Sequence, residues 1–85
     1  MPVYLVERYA AGIDADDLGE RLGAATAALR AEGADVAWLL SIVLPAEEGC
    51  LCLFEASSAA EVVRANRRAA ASYDRLVETV ELAGR

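Results

Sequence analysis

Two long apolar stretches in the middle of the chain, separated by a short acidic turn, dominate its hydrophobic pattern. They run over Val36–Leu44 and Gly49–Ala56, with Pro45–Glu48 between them. Runs of this length that are rich in β-branched and aromatic residues, and are bracketed by proline and glycine, predict two strands of a hairpin. Because they are apolar at nearly every position, we expect both faces of these strands to be covered.

A strand and a helix are predicted before the hairpin. Val3–Tyr9 alternates as a strand, with Glu7 and Arg8 on opposite sides. Asp14 is a helix N-cap, and the helix ends near Glu32 because Gly33 suits the position after a helix terminus. The apolar stripe of this helix has a spacing of four, three and four residues, at Leu18, Leu22, Ala25 and Leu29.

A second helix and a closing strand are predicted after the hairpin. Ser58 and Glu61 have the spacing of a capping box at the start of the helix. Ala71–Asp74 is a break, and Arg75–Leu82 is the last strand. The resulting order β-α-β-β-α-β predicts a ferredoxin-like α+β sandwich, a four-stranded antiparallel sheet with both helices on one face. We expect a single domain over residues 1–85, with the first and third strands in the middle of the sheet.

The composition adds a prediction about assembly. Hydrophobic residues make up 56% of the 85 residues, which is a surplus for a small domain, although much of it is alanine. Two helices cover only one face of the sheet, so large apolar residues are left on the other face. We expect a second copy of the chain to cover that face, giving a homodimer with a barrel-like arrangement of sheets.

The charge and the amino terminus narrow the partners and the location. The net charge of −6 argues against nucleic acid or an anionic membrane as the partner, because both require a basic surface. No apolar run approaches the roughly 20 residues that span a bilayer. The amino-terminal sequence lacks the basic region and the cleavage site of a signal peptide, which predicts a cytoplasmic protein.

The hairpin register predicts a candidate ligand-binding site at Glu7, Trp38 and Glu55. With Pro45–Glu48 as the loop, Ser41 faces Cys52 and Trp38 faces Glu55. If the first and third strands are parallel neighbours, Glu7 and Glu55 lie at the same end of the open face, beside the indole. Two acids against apolar walls can share a proton or bind a cation. The alternative is that both are ion-paired, with Arg8, Arg75 or an arginine of a second copy.

The same register assigns the other hairpin residues to two faces. The face under the helices is predicted to contain Leu39, Val43, Cys52 and Phe54. The opposite face is predicted to contain Leu40, Ile42, Leu51 and Leu53 together with Trp38 and Glu55.

Cysteines and aspartates supply weaker candidates for a metal site. Cys50 and Cys52 point to one face of a strand, as small core residues or as a metal or redox pair, although they lack the C-x-x-C spacing and a nearby histidine. Asp14, Asp16 and Asp17 can hold a divalent ion weakly, but capping and solvation of the first helix is the simpler interpretation. The arginines of the second helix, Arg64, Arg67 and Arg68, are interpreted as a solvated face.

Four segments resemble the signature blocks of a small bacterial family of unknown function that has a nickel-binding member. They are YLVER at Tyr4–Arg8, WLLS at Trp38–Ser41, CLFEA at Cys52–Ala56 and YDRLVET at Tyr73–Thr79. The resemblance implies a dimeric ferredoxin-like barrel in the cytoplasm, with nickel as a possible cofactor. This chain has no histidine, and AASYDR replaces the family's glycine-proline turn, so no nickel ligand is carried over.

Three functions therefore remain open. The first is a small protein that binds a metal or an apolar ligand in a cavity between its sheet and the sheet of a partner. The second is a cofactor-free enzyme, similar to a monooxygenase or an isomerase, which rests on the fold alone. The third is a non-catalytic interaction module with an acidic surface. Without histidine, tight nickel binding is disfavoured, because carboxylates suit harder cations better.

Overall fold

The predicted order of elements is confirmed. The structure is a computed structural model, and it describes residues 1–81 and residue 84. Its elements are β1 (Val3–Tyr9), α1 (Ala15–Ala31), β2 (Val36–Leu44), β3 (Gly49–Ala56), α2 (Ala59–Arg68) and β4 (Arg75–Glu78), and a single 3-10 turn at Pro45–Glu47 joins β2 to β3. β4 is shorter than the predicted strand, whose last residue, Leu82, lies outside the described residues.

The sheet is antiparallel throughout and has the order β2-β3-β1-β4. The central place of β1 and β3 is confirmed. One face of the central strands is sealed under the helices, where Tyr4, Val6, Cys52 and Phe54 are at most 6% exposed. The predicted stripe of α1 packs onto the same face, because Leu18, Leu22, Ala25 and Leu29 are all buried.

The two helix starts differ from each other. The Asp14 carboxylate accepts a hydrogen bond from the backbone N–H of Asp17 at 3.0 Å, as the N-cap prediction requires. Ser58 occupies the N-cap of α2, but its hydroxyl caps no described backbone group, so the predicted capping box is wrong. The side chain of Glu61 is instead bonded to Arg64. At the other end of α1, Gly33 has a φ of +93°, a conformation that glycine adopts without strain.

The prediction that β1 and β3 are parallel is wrong. The connection through α1 brings the chain back to the end of the sheet where β1 began, so β2 runs in the same direction as β1. The hairpin then reverses the chain, so β3 runs in the opposite direction. Because β3 lies between β1 and β2, it is antiparallel to both. Val3 is therefore paired with Glu55, whereas Glu7 is paired with Leu51. The two glutamates share a face of the sheet but lie at its opposite ends.

The predicted hairpin register holds from the turn as far as Leu40 and then fails at a β-bulge. Leu44 is paired with Gly49 and Ser41 with Cys52, as expected. Beyond Leu40, one extra residue on β2 shifts the pairing, and Trp38 is opposite Phe54 instead of Glu55. Leu39 is that extra residue; it is 48% exposed and so does not belong to the core.

The face of the sheet that the helices leave uncovered, here called the open face, is mainly apolar. The register places on it Val3, Leu5, Ala37, Leu40, Ile42, Leu51, Leu53 and Val77, together with Glu7, Glu55 and Arg75. Leu40 is 44% exposed and Ile42 is 50% exposed. Neither helix combines the length and the apolar character that crossing a bilayer requires, among the residues searched.

Candidate functional site

Glu7 is held by two neighbours on the open face. Arg75, its partner across β1 and β4, places Nε 3.1 Å from Glu7 Oε2. The hydroxyl of Tyr9 donates a hydrogen bond to Glu7 Oε1 at 3.0 Å. This bond, together with the carboxylate's charge, raises the pKa of Tyr9, because both disfavour the phenolate. Glu7 therefore has the ion-paired environment that the simpler interpretation expects.

Glu55 lies apart from both of its proposed partners. Glu7 pairs with Leu51, and Leu51 is four residues from Glu55 along β3. The two carboxylates are therefore separated by roughly 13 Å along the strand direction. Glu55 is half-buried, and it makes no ion pair or side-chain hydrogen bond with any described residue. One chain therefore does not bring Glu7 and Glu55 together as a proton-sharing pair.

Trp38 lies on the helix side of the sheet because of the bulge. Its ring packs on two glycines of α1: a Cβ built on Gly19 would be 3.3 Å from Cη2, and one on Gly23 would be 4.0 Å from Cζ3. The indole Nε1 donates to Ser41 Oγ at 3.0 Å, and the Ser41 hydroxyl donates to Cys52 Sγ at 2.7 Å. Trp38 thus joins helix to sheet and does not face Glu55.

Cys50 and Cys52 are fully buried free thiols under the helices. Their sulfur atoms are 3.7 Å apart. Burial, followed by the neighbouring Cys52 thiol, raises the pKa of Cys50 to about 11. A thiol must lose its proton to bind a metal, so at neutral pH Cys50 behaves as a core residue.

The acidic residues at the start of α1 are committed to local structure. Asp14 caps the helix, and Asp17 Oδ2 accepts a hydrogen bond from Arg21 Nε at 3.0 Å. Asp16 is exposed. Within the described part of the chain, no three Cys, Asp or Glu residues come close enough together to hold a metal ion.

The structure reveals a buried arginine that the sequence analysis had not selected as a site. Arg8 is 5% exposed and lies under the helices. Its Nη2 donates to Asn66 Oδ1 at 2.6 Å, and its Nη1 donates to the Ser72 carbonyl at 3.3 Å. Its Nε is buried without a hydrogen-bond partner among the described residues. The sequence signal was a charged residue at an inward-facing strand position, after Tyr4 and Val6.

A half-open cavity of about 420 Å³ adjoins this arginine, and we call it the Arg8 cleft. It lies between the end of β1, the first turns of α1 and the loop before β4. Its charged lining residues are Arg8, Arg21, Asp14, Asp17 and Asp74, and Ser72 and Tyr73 form part of its wall.

Comparison with known proteins places the chain in a family. The family described as "Nickel responsive protein SCO4226-like" matches residues 4–79. The chain belongs to this family. A crystal structure of SCO4226 from Streptomyces coelicolor A3(2) has a TM-score of 0.77 and 27% sequence identity, covering 95% of this chain and 99% of that one. No protein with a curated description matches the chain.

The match to this family confirms the resemblance that the four short segments indicated. The structural similarity extends over nearly the whole of both chains, so it supports the ferredoxin-like arrangement independently of those segments. The family's description names a response to nickel. It identifies no residue of the chain as a ligand.

Proposed function

We propose that this SCO4226-like protein is a small nickel-binding protein that works as a homodimer through its open face. The observation that carries the proposal is the match of residues 4–79 to a family described as nickel responsive. The likeness to SCO4226 over nearly the whole chain supports it. The dimer part of the proposal rests on the surface chemistry of the sheet.

A second copy is the occupant that best fits the open face. Most of the side chains on it are apolar, and exposed apolar patches of this kind mark interaction sites. Its charges are few: Glu7 and Arg75 neutralise each other, and Glu55 is the remaining charge that the register places there. A face that is apolar and nearly neutral is complementary to itself, which is what a two-fold interface requires.

The dimer also offers a place for the metal. One chain holds no described cluster of three acidic or thiol ligands, whereas two open faces packed together bring two copies each of Glu7 and Glu55 into one interface. Carboxylate ligands bind nickel less well than imidazole does. We therefore expect binding weaker than that of a histidine site, with Glu55 as the main ligand because Glu7 is engaged by Arg75.

Calorimetric titration with NiCl2 tests the metal part of the proposal. We expect saturable binding by the wild-type protein and at least tenfold weaker binding by Glu55→Gln. Glu20→Gln, which changes an exposed carboxylate on α1, is the matched control and should bind like wild type. Absence of saturable heat with wild-type protein, or equal binding by the two variants, contradicts this assignment.

Light scattering coupled to gel filtration tests the dimer. The mass in solution should be twice the 9.0 kDa of one chain. Ile42→Lys places a charge at a half-exposed apolar position of the open face and should give monomers, whereas Ala27→Lys on the exposed side of α1 should not. A monomeric wild-type protein would contradict both the dimer and the placement of the metal between two copies of Glu55.

A further inference from the structure

The charge of Arg8 is not balanced by any described carboxylate. Ion pairs are formed by Arg21, Arg64, Arg68 and Arg75, but Arg8, which is the buried one, meets only an amide oxygen and a carbonyl oxygen. A guanidinium has five N–H donors and stays protonated in proteins. A buried cation of this kind is costly unless an anion pairs with it, and this requirement points to a missing acidic partner.

The Arg8 cleft has free donors on one side. Arg21 donates from Nε to Asp17 and from Nη1 to the carbonyl oxygens of Ala69 and Ala70, and its Nη2 makes no hydrogen bond with a described residue. A guanidinium group can bind two oxygens of a carboxylate or a phosphate. Because Arg8 and Arg21 line the same cavity, both can contribute donors to one acidic group.

Acidic side chains line the same cleft and limit which ligand can enter. Asp14, Asp17 and Asp74 outnumber the two arginines, so a simple anion is repelled at long range. Each aspartate uses one oxygen for a protein donor, and Asp74 accepts from the backbone N–H of Tyr9 at 2.7 Å. The other oxygens are available to a positively charged group.

We propose that the Arg8 cleft binds a small zwitterion, namely a free amino acid or a closely similar amino-bearing acid. The acidic group of the ligand pairs with Arg8 and Arg21, and its ammonium group lies near the aspartates. The volume of about 420 Å³ falls in the range of small-molecule sites. This site is on the helix side of the sheet, away from the open face, and does not depend on the nickel proposal.

An NMR titration with the standard amino acids, each added separately to ¹⁵N-labelled protein, tests this inference. Propionate and propylamine, which carry one charge each, are the matched ligand controls. We expect at least one amino acid to produce saturable shifts in residues 8–21 and 70–74 with a Kd of about 1 mM or tighter. Propionate and propylamine should bind at least about tenfold more weakly.

Two variants locate the site, and a third is the control. Arg8→Lys keeps the positive charge but removes the paired N–H donors of the guanidinium, and we expect about tenfold weaker binding. Ser72→Phe adds bulk at an exposed lining position and keeps the backbone carbonyl that accepts from Arg8 Nη1. It should therefore block binding even if Arg8→Lys fails to fold. Arg64→Gln alters an exposed arginine of α2 that is outside the cleft and should bind like wild type.

Three results would overturn the inference. One is the absence of saturable binding by every amino acid at about ten times the expected Kd. Another is equally tight binding of propionate, which would make the site a plain anion site. The third is unchanged affinity in Ser72→Phe, which would place the ligand elsewhere.

Discussion

Trp38 and Gly19 are in direct contact between the sheet and the first helix. A Cβ on Gly19 would lie 3.3 Å from the indole Cη2, closer than side chains normally pack, whereas one on Gly23 would lie at an ordinary 4.0 Å from Cζ3. The bulge at Leu39 makes this contact possible by turning Trp38 towards the helices. The two glycines are four residues apart on one side of α1, so they form a matched pair for testing the contact.

We predict that alanine is tolerated better at Gly23 than at Gly19. A glycine inside a helix lowers the free energy of unfolding by about 0.5–1 kcal/mol relative to alanine. Gly23→Ala should recover most of this stability, because the added Cβ has room beside the indole. Gly19→Ala should recover less or lose stability, because the indole must move. Urea unfolding measures both free energies.

A double-mutant comparison is the control for this prediction. In a Trp38→Leu background, the difference between the two alanine variants should disappear, because nothing then crowds residue 19. A difference that persists without the indole would show that the contact with Trp38 is not its cause.

The fold was predictable because each element carries its own local signal. The apolar hairpin and the periodicity of α1 are repeated at many positions, so single errors do not change the element order. The register near the turn was also predictable, since the loop fixes Leu44 opposite Gly49. These signals are short-range, and so are the features they specified correctly.

The candidate site was less predictable because it depended on long-range geometry. One extra residue at Leu39 moves Trp38 to the other face, and no residue type there announces a bulge. The separation of Glu7 from Glu55 depends on the direction of β3 relative to β1. That direction follows from the sequence only when the helical connection from β1 to β2 and the hairpin from β2 to β3 are considered together. Arg8 was overlooked because its depth depends on how the helices and the loop before β4 cover it.

The two helix N-caps should differ in their contribution to stability. Asp14→Ala removes the bond to the Asp17 N–H, and we expect a loss of about 1 kcal/mol. Ser58→Ala should cost less than about 0.5 kcal/mol, because the serine hydroxyl caps no described backbone group. Thermal or urea unfolding of both variants measures the difference, and equal losses would contradict it.

The pKa of Tyr9 reports the arrangement of the open face. Glu7→Gln should lower this pKa towards its usual value, because the charged acceptor that holds the phenol proton is removed. Glu55→Gln is the matched control on the same face, and it should leave the pKa unchanged because Glu55 lies at the other end of the sheet. Ultraviolet titration of tyrosinate, assigned with Tyr9→Phe, gives both values. An equal response to the two substitutions would mean that Glu55 is also close to Tyr9.

The buried thiol of Cys50 should make the fold sensitive to alkaline pH. Its pKa is raised from 9.0 to about 11 in the folded chain, so between these values the unfolded chain loses the proton while the folded chain keeps it. The native state then binds more protons, and its stability falls as the pH rises, by up to about 1.4 kcal/mol per pH unit. Below about pH 8 the thiol is protonated in both states and contributes no slope.

Comparison with Cys50→Ala isolates this effect from the titration of the tyrosines and the other cysteine, which both proteins share. Wild type should be the more stable protein at neutral pH, because alanine leaves a small cavity under α1. That advantage should shrink steadily between pH 9 and about pH 11. Urea unfolding at fixed pH values measures the difference directly. Parallel profiles for the two proteins would show that the Cys50 thiol ionises as readily in the folded chain as in the unfolded one.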